Sequence, residues 1–209
     1  MNSRTACFPG DVPFSKNLTL SYAQSKLINL TAITLSPHVG THADAPSHIK
    51  GDITETHTNI GAAALEPYVG AALVLDFSPM TSGAVTAEMI SEQMSNHLSG
   101  SDRLPERVLL KTQRSIDYEN WAGDYPYIGT DAVIFLSEYG VRLVGIDTPS
   151  VDQVESKSLQ THHALDELGF FWLENLDLTK AQGGFYFLVA APLRLEEAEA
   201  SPLRALLLR

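Results

Sequence analysis

The eleven residues His38-Val-Gly-Thr-His-Ala-Asp-Ala-Pro-Ser-His48 set the strongest constraint on this chain. Gly40 and Pro46 oppose a helix through the stretch, because glycine loses too much backbone entropy there and proline cannot donate to the helical ladder. The i, i+4 spacing of His38 and His42 is therefore not that of a helical zinc motif. An irregular loop can instead point His38, His42 and Asp44 at one place. Neutral imidazoles with a carboxylate are the donor set that binds zinc or manganese at water-activating sites. A polar surface loop is the simpler alternative. Three histidines of the chain's seven, gathered beside an aspartate, favour the metal site.

The flanking sequence reads as alternating strands and helices. Residues 26–36 are rich in Leu, Ile and Thr and read as a strand ended by Pro37. Strands are also expected at 70–77, 107–112, 141–147, 170–176 and 185–195. The spacing predicts helices over 85–98, with Thr86 as N-cap, over 130–139, opened by Thr130 or Asp131 and closed by Gly140, and over 158–168, stopped by Gly169. This mixture implies an α/β fold, or a mixed sheet with helices packed outside it. With 209 residues and 44% hydrophobic content, one domain spanning 1–209 is expected.

The formal charge of −11 disfavours nucleic acid and anionic membrane surfaces, which need basic patches. The longest apolar runs are too short to span a bilayer, and the first ten residues lack an apolar signal core. A lone cysteine, Cys7, rules out an internal disulfide and fits a reducing compartment, so a cytoplasmic location is expected. There is no GxSxG elbow for a serine nucleophile, and neither GxGxxG nor GxxxxGK[ST] for a nucleotide.

HVGTHADAPSH resembles the HxGTHxDxPxH signature of the metal-dependent cyclase family, which includes bacterial kynurenine formamidases and isatin hydrolases. FPGDVPF at 8–14, GIDTPSVD at 145–152, LQTHHALDELGFFWLENL at 159–176 and the C-terminal PLRLEEAEASPLRALLLR extend the similarity over nearly the whole chain. It points to the kynurenine formamidase branch. The resemblance implies a swivelling β/β/α fold with a mixed, sheet-rich core and outer helices. It implies that His38 and His42 bind one metal, that Asp44 and Glu174 bridge two, and that His162 holds the second. On spacing alone, His163 competes with His162, and Glu174 could be a solvent-side residue of its strand. His48 is implied as the proton donor and acceptor, and Phe8, in place of the family's tryptophan, as the residue stacking on the substrate. The implied cofactor is two Zn2+, with Mn2+ able to use the same donors. The implied reaction is hydrolysis of an aryl formamide, N-formyl-L-kynurenine, in tryptophan breakdown. The implied assembly is a homodimer or larger. His57 and His97 have no motif context and read as surface residues. GIDTPSVD is expected to line the pocket, with no role assigned to Asp147 or Ser150.

Overall fold

The computed structural model describes residues 1–98, 103–121 and 123–209. Its first elements are β1 (Ser15–Leu20), the single-turn α1 (Tyr22–Ser25) and β2 (Leu30–Thr34). The two strands pair only with each other, antiparallel, in a hairpin whose residues are almost all exposed. The expected strand over 26–36 is realised only as Leu30–Thr34. Ser21 caps α1 with its side chain, and Lys26 leaves the turn in the left-handed conformation, at φ 57°.

The chain then builds one eight-stranded mixed sheet. In chain order its strands are β3 (His42–Asp44), β4 (Val69–Asp76), β6 (Arg107–Lys111), β8 (Leu143–Ile146), β9 (Phe171–Glu174), β10 (Gly184–Val189), β11 (Ala200–Pro202) and β12 (Leu206–Leu208). Between them, β5 (Gly83–Val85) and β7 (Pro126–Ile128) form a separate parallel pair. The helices are α2 (Ala87–Ser95), α3 (Thr130–Glu138) and α4 (Gln160–Glu167).

The spatial order is β11-β3-β9-β8-β6-β4-β10-β12. The four central strands, β9 to β4, run parallel, and the flanking pairs are antiparallel. Parallel strands bury both faces, which is why VLL at 108–110 reads as a continuous apolar run. Leu73, Leu75, Val108, Leu110, Val144, Ile146 and Trp172 meet the helices through Ile90, Met94, Val133, Leu136 and Leu165. Alternate residues, among them Val74, Leu109, Leu143 and Leu173, pack on the opposite face with Ala43, Tyr68, Leu176 and Leu188. This is the α/β class expected, a mixed sheet with outer helices. Among the described residues, no helix is long and apolar enough to cross a membrane.

Other local expectations change as well, and the strand expected over 185–195 ends at Val189. Thr86 does cap α2, its side chain accepting from the Met89 amide, but Val85 belongs to β5 and not to the helix. Neither Thr130 nor Asp131 caps α3. Gly129 occupies the cap position, and Asp131 instead accepts the Ala87 amide at 2.9 Å, tying the starts of α2 and α3 together. The His38–His48 stretch is not irregular throughout. Gly40, at φ +73°, turns the chain, after which His42–Asp44 enters the sheet between β11 and β9. Three residues are too few for strand periodicity to show in sequence.

Candidate metal centre

Strand alternation accounts for the placement of the first donors. His42 and Asp44, two apart on β3, share one face, while Ala43 between them packs into the apolar core on the other. Antiparallel pairing sets His42 directly opposite Glu174 on β9. Trp172, two residues before Glu174, shares its face, and its indole N–H donates to Asp44 Oδ2 at 2.9 Å. His162 arrives from α4, whose inner side carries Thr161, His162 and Leu165. His163 is exposed on the outer side of the same helix.

These side chains converge. His42 Nε2 lies 3.3 Å from Asp44 Oδ1 and 3.2 Å from Glu174 Oε2. His162 Nε2 lies 3.6 Å from Asp44 Oδ2 and 3.4 Å from Glu174 Oε1. His38 Nδ1 is 3.1 Å from Asp44 Oδ1. His42, Asp44, His162 and Glu174 are all buried, and His38 is partly so. His48 sits in the short 3-10 turn Pro46–His48, its ring 4.4 Å from that of His38 and 5.6 Å from that of His162. Two donor groups of metal-site geometry result, His38–Asp44–His48 and His42–Asp44–Glu174, with Asp44 common to both. His57, exposed, and His97, packed beside Gly183, lie outside both.

The electrostatics fit a cation-binding centre. Burial alone would hold the His42 imidazole low, but Asp44 and Glu174 outweigh it and push it up to about 10. Burial would lift the Asp44 carboxyl, yet the surrounding imidazoles, His42 foremost, hold it well below the usual range. Burial and the charge of Asp44 would lift Glu174, and the imidazoles of His162 and His42 beside it bring it below its ordinary value. His48 goes the other way, since burial lowers it and leaves it neutral at pH 7. Buried polar atoms normally find partners. His42 Nε2, Asp44 Oδ1 and His162 Nε2 have none, and both ring nitrogens border the Asp44 and Glu174 carboxylates. The residues therefore fit a divalent metal on the chemistry of the donors and on these unpartnered atoms.

Positioning groups absent from the sequence reading surround the donors. Asp152 accepts from His162 Nδ1 at 2.6 Å and from the Thr161 and His162 amides, each at 3.0 Å. Gly40 C=O accepts from His42 Nδ1 at 2.8 Å. The Val151 amide donates to Glu174 Oε1 at 2.7 Å. Asp152 lies within the GIDTPSVD stretch but at no spacing that marks it. The alternation of Trp172 with Glu174 was the one visible signal.

The centre opens on a cavity of about 920 Å³. Phe8, Trp121, Tyr118, His48, Ser150 and Glu199 are among its walls. Phe8 is 42% exposed and meets Trp121 edge-on, with ring centroids 4.9 Å apart. Asp147 also lines the cavity, but its carboxylate is used up by the Thr112 amide and hydroxyl and the Gln113 amide.

With the geometry in place, the likeness to known proteins can be judged on the residues themselves. The Cyclase family model, described as "Putative cyclase", matches residues 2–153, most of the chain, and this protein belongs to that family. Within the family, the kynurenine formamidase of Bordetella avium (strain 197N) is 36% identical over 210 residues, covering 99% of this chain and 93% of that one. The kynurenine formamidase of Bacillus cytotoxicus is 37% identical over 207 residues, covering 99% and 93%. Among solved structures, a predicted metal-dependent hydrolase from Bacillus stearothermophilus superposes with TM-score 0.77 at 25% identity, over 99% of this chain and 93% of that one. Isatin hydrolase A from Labrenzia aggregata, bound to benzyl benzoate, gives 0.79 at 25% identity, over 96% and 84%. The family model stops short of His162 and Glu174, whereas the relatives extend across them. The chain is thus a metal-dependent amide hydrolase of the cyclase family.

Proposed function

We propose that residues 1–209 act as one catalytic domain that hydrolyses N-formyl-L-kynurenine to L-kynurenine and formate, a step of tryptophan breakdown. The buried, mutually close donors His42, Asp44 and Glu174, with unpartnered His42 Nε2 and Asp44 Oδ1 among them, carry the metallohydrolase reading. The full-length similarity to kynurenine formamidases supports the substrate.

His38, His42, Asp44, His162 and Glu174 would hold two Zn2+; Mn2+ accepts the same donors. When bound, such ions supply Lewis acidity toward a water and toward the oxygen of the formyl group. The chain's own groups do the rest. The Phe8 ring stacks on the aryl group and sets the formamide beside His48. His48, neutral at pH 7, takes a proton from the attacking water and returns it to the leaving nitrogen. The formyl carbon–nitrogen bond breaks as the water oxygen bonds to carbon, releasing aryl amine and formate. The depth of Asp44 and Glu174 keeps competing water from their carboxylates.

The exposed apolar side chains of the β1–β2 hairpin, Leu18, Leu30 and Ile33, support assembly into a homodimer or larger complex. The one cysteine and acidic charge support a cytoplasmic enzyme without nucleic acid or membrane partners. A second reading, an isatin hydrolase, draws on the structural similarity to that enzyme and on Phe8 in place of tryptophan.

Hydrolysis of N-formyl-L-kynurenine, followed by kynurenine absorbance, tests the proposal with zinc-loaded protein, chelated protein and His48→Ala. Turnover lost in both controls supports it. No turnover by protein holding two metals rejects the substrate and makes isatin the next one to try.

A further inference from the structure

Each imidazole at the centre has two ring nitrogens, and only one can face a metal. His42 turns Nε2 inward and offers Nδ1 to the Gly40 carbonyl. His162 turns Nε2 inward and offers Nδ1 to Asp152. His38 is oriented the other way, with Nδ1 beside Asp44 Oδ1. Its outer nitrogen, Nε2, lies 3.4 Å from Glu199 Oε1. Glu199 has no place in the ligand set or in the proton transfer.

We infer that Glu199 is a positioning residue whose carboxylate accepts the Nε2–H of His38, fixing the tautomer that leaves Nδ1 free for a cation. The inference rests on reading the centre as a metal site. Three observations carry it. Glu199 is the one acid within 4 Å of His38 Nε2 among the described residues. Its backbone carbonyl accepts the Ala45 amide at 2.8 Å, and Ala200 beside it pairs with Asp44, so the main chain ties it to the strand that carries His42 and Asp44. His38 is also the imidazole with the greatest need of support. Its side chain is 17% exposed, against 1% for His42 and 2% for His162, so packing alone does not hold its ring.

A small rotation of that ring brings 3.4 Å to ordinary hydrogen-bond length. Ligating histidines usually donate their outer N–H to such an acceptor, and loss of the acceptor costs about 10–100-fold in metal affinity. With this hydrogen bond made, all three histidines have an outer acceptor: a backbone carbonyl, a buried aspartate and a glutamate at the cavity wall.

The test is zinc affinity, measured by competition with a chromophoric chelator, in the full-length protein and in Glu199→Ala and Glu199→Gln. Melting of the metal-free forms is followed in parallel. The expected result is a loss of about 10–100-fold in zinc affinity in Glu199→Ala, with an unchanged melting temperature. Glu199→Gln should recover most of the affinity, because its amide oxygen still accepts the Nε2–H. Unchanged affinity in Glu199→Ala overturns the inference. So does an equal loss in both variants, which would make the carboxylate a direct ligand. A native protein that takes up no zinc fails differently, since that result rejects the metal centre itself.

Discussion

Asp152 grips His162 twice, through the ring Nδ1 at 2.6 Å and through the backbone amide at 3.0 Å. One carboxylate thus fixes both the start of α4 and the tautomer of the histidine that α4 presents. Asp152→Asn keeps an acceptor but loses the charge and can present its amide N–H to the ring. The expected outcome is a loss of about 10–100-fold in zinc affinity, read by chelator competition. Wild-type affinity in this variant would mean that the packing of α4 alone orients His162.

Trp172→Phe removes the N–H that serves Asp44 Oδ2 and keeps most of the buried ring. Hydrogen bonds to charged groups contribute about 1.5–3 kcal/mol, so urea unfolding of the metal-free variant should show a loss of that size. No change would show that the imidazoles satisfy Asp44 without help.

Metal uptake should release protons. His42 is pushed up to about 10 in the metal-free centre and so is protonated at pH 7, whereas a ligating imidazole must be neutral. Binding therefore expels a proton, and zinc affinity rises as pH climbs from 6 to 8. Calorimetric titration in two buffers of different ionisation enthalpy reads this directly. Identical heats in both would contradict it.

Phe8→Ala should raise KM for the aryl formamide by about two- to tenfold, the range that aromatic stacking provides, while leaving kcat nearly unchanged. Steady-state kinetics against a non-aromatic formamide is the control, and its KM should not move. A fall in kcat with constant KM would assign Phe8 to the chemical step and not to binding.

Gly61→Ala tests the packing of the turn at Gly61 against the 195–196 backbone. A Cβ there would lie 2.7 Å from Glu196 Cα and 2.8 Å from Glu196 N, both backbone atoms that cannot rotate away. Overpacking of this kind costs about 1–3 kcal/mol, so thermal unfolding should show clear destabilisation. Unchanged stability would mean that the 195–199 segment yields freely.

Much of the centre was legible in the sequence because its donors are chemically distinctive and closely spaced. His38, His42, Asp44 and His48 come together as their motif implies, and His162 rather than His163 faces inward because helical neighbours diverge by about 100°. Glu174 could pass for a solvent-side residue until pairing set it opposite His42. The hidden parts were those that pattern does not encode. The strand His42–Asp44 is too short to show a period. Asp152 and Glu199 are ordinary acids until the fold brings them to a ring nitrogen. The strand read over 26–36 gave no sign of its partner at 15–20 or that their hairpin leaves Leu18, Leu30 and Ile33 exposed.

Strand β3 lies between β9 and β11, which the chain supplies only near its end. Asp44 and Trp172 are 128 residues apart, so this contact closes one of the chain's long loops. Such contacts form late, because loop entropy must be overcome before they contribute stability. A nascent chain carrying the complete histidine motif therefore still lacks His162 and Glu174. An ion that binds only the closed form would favour that finished arrangement of strands by mass action.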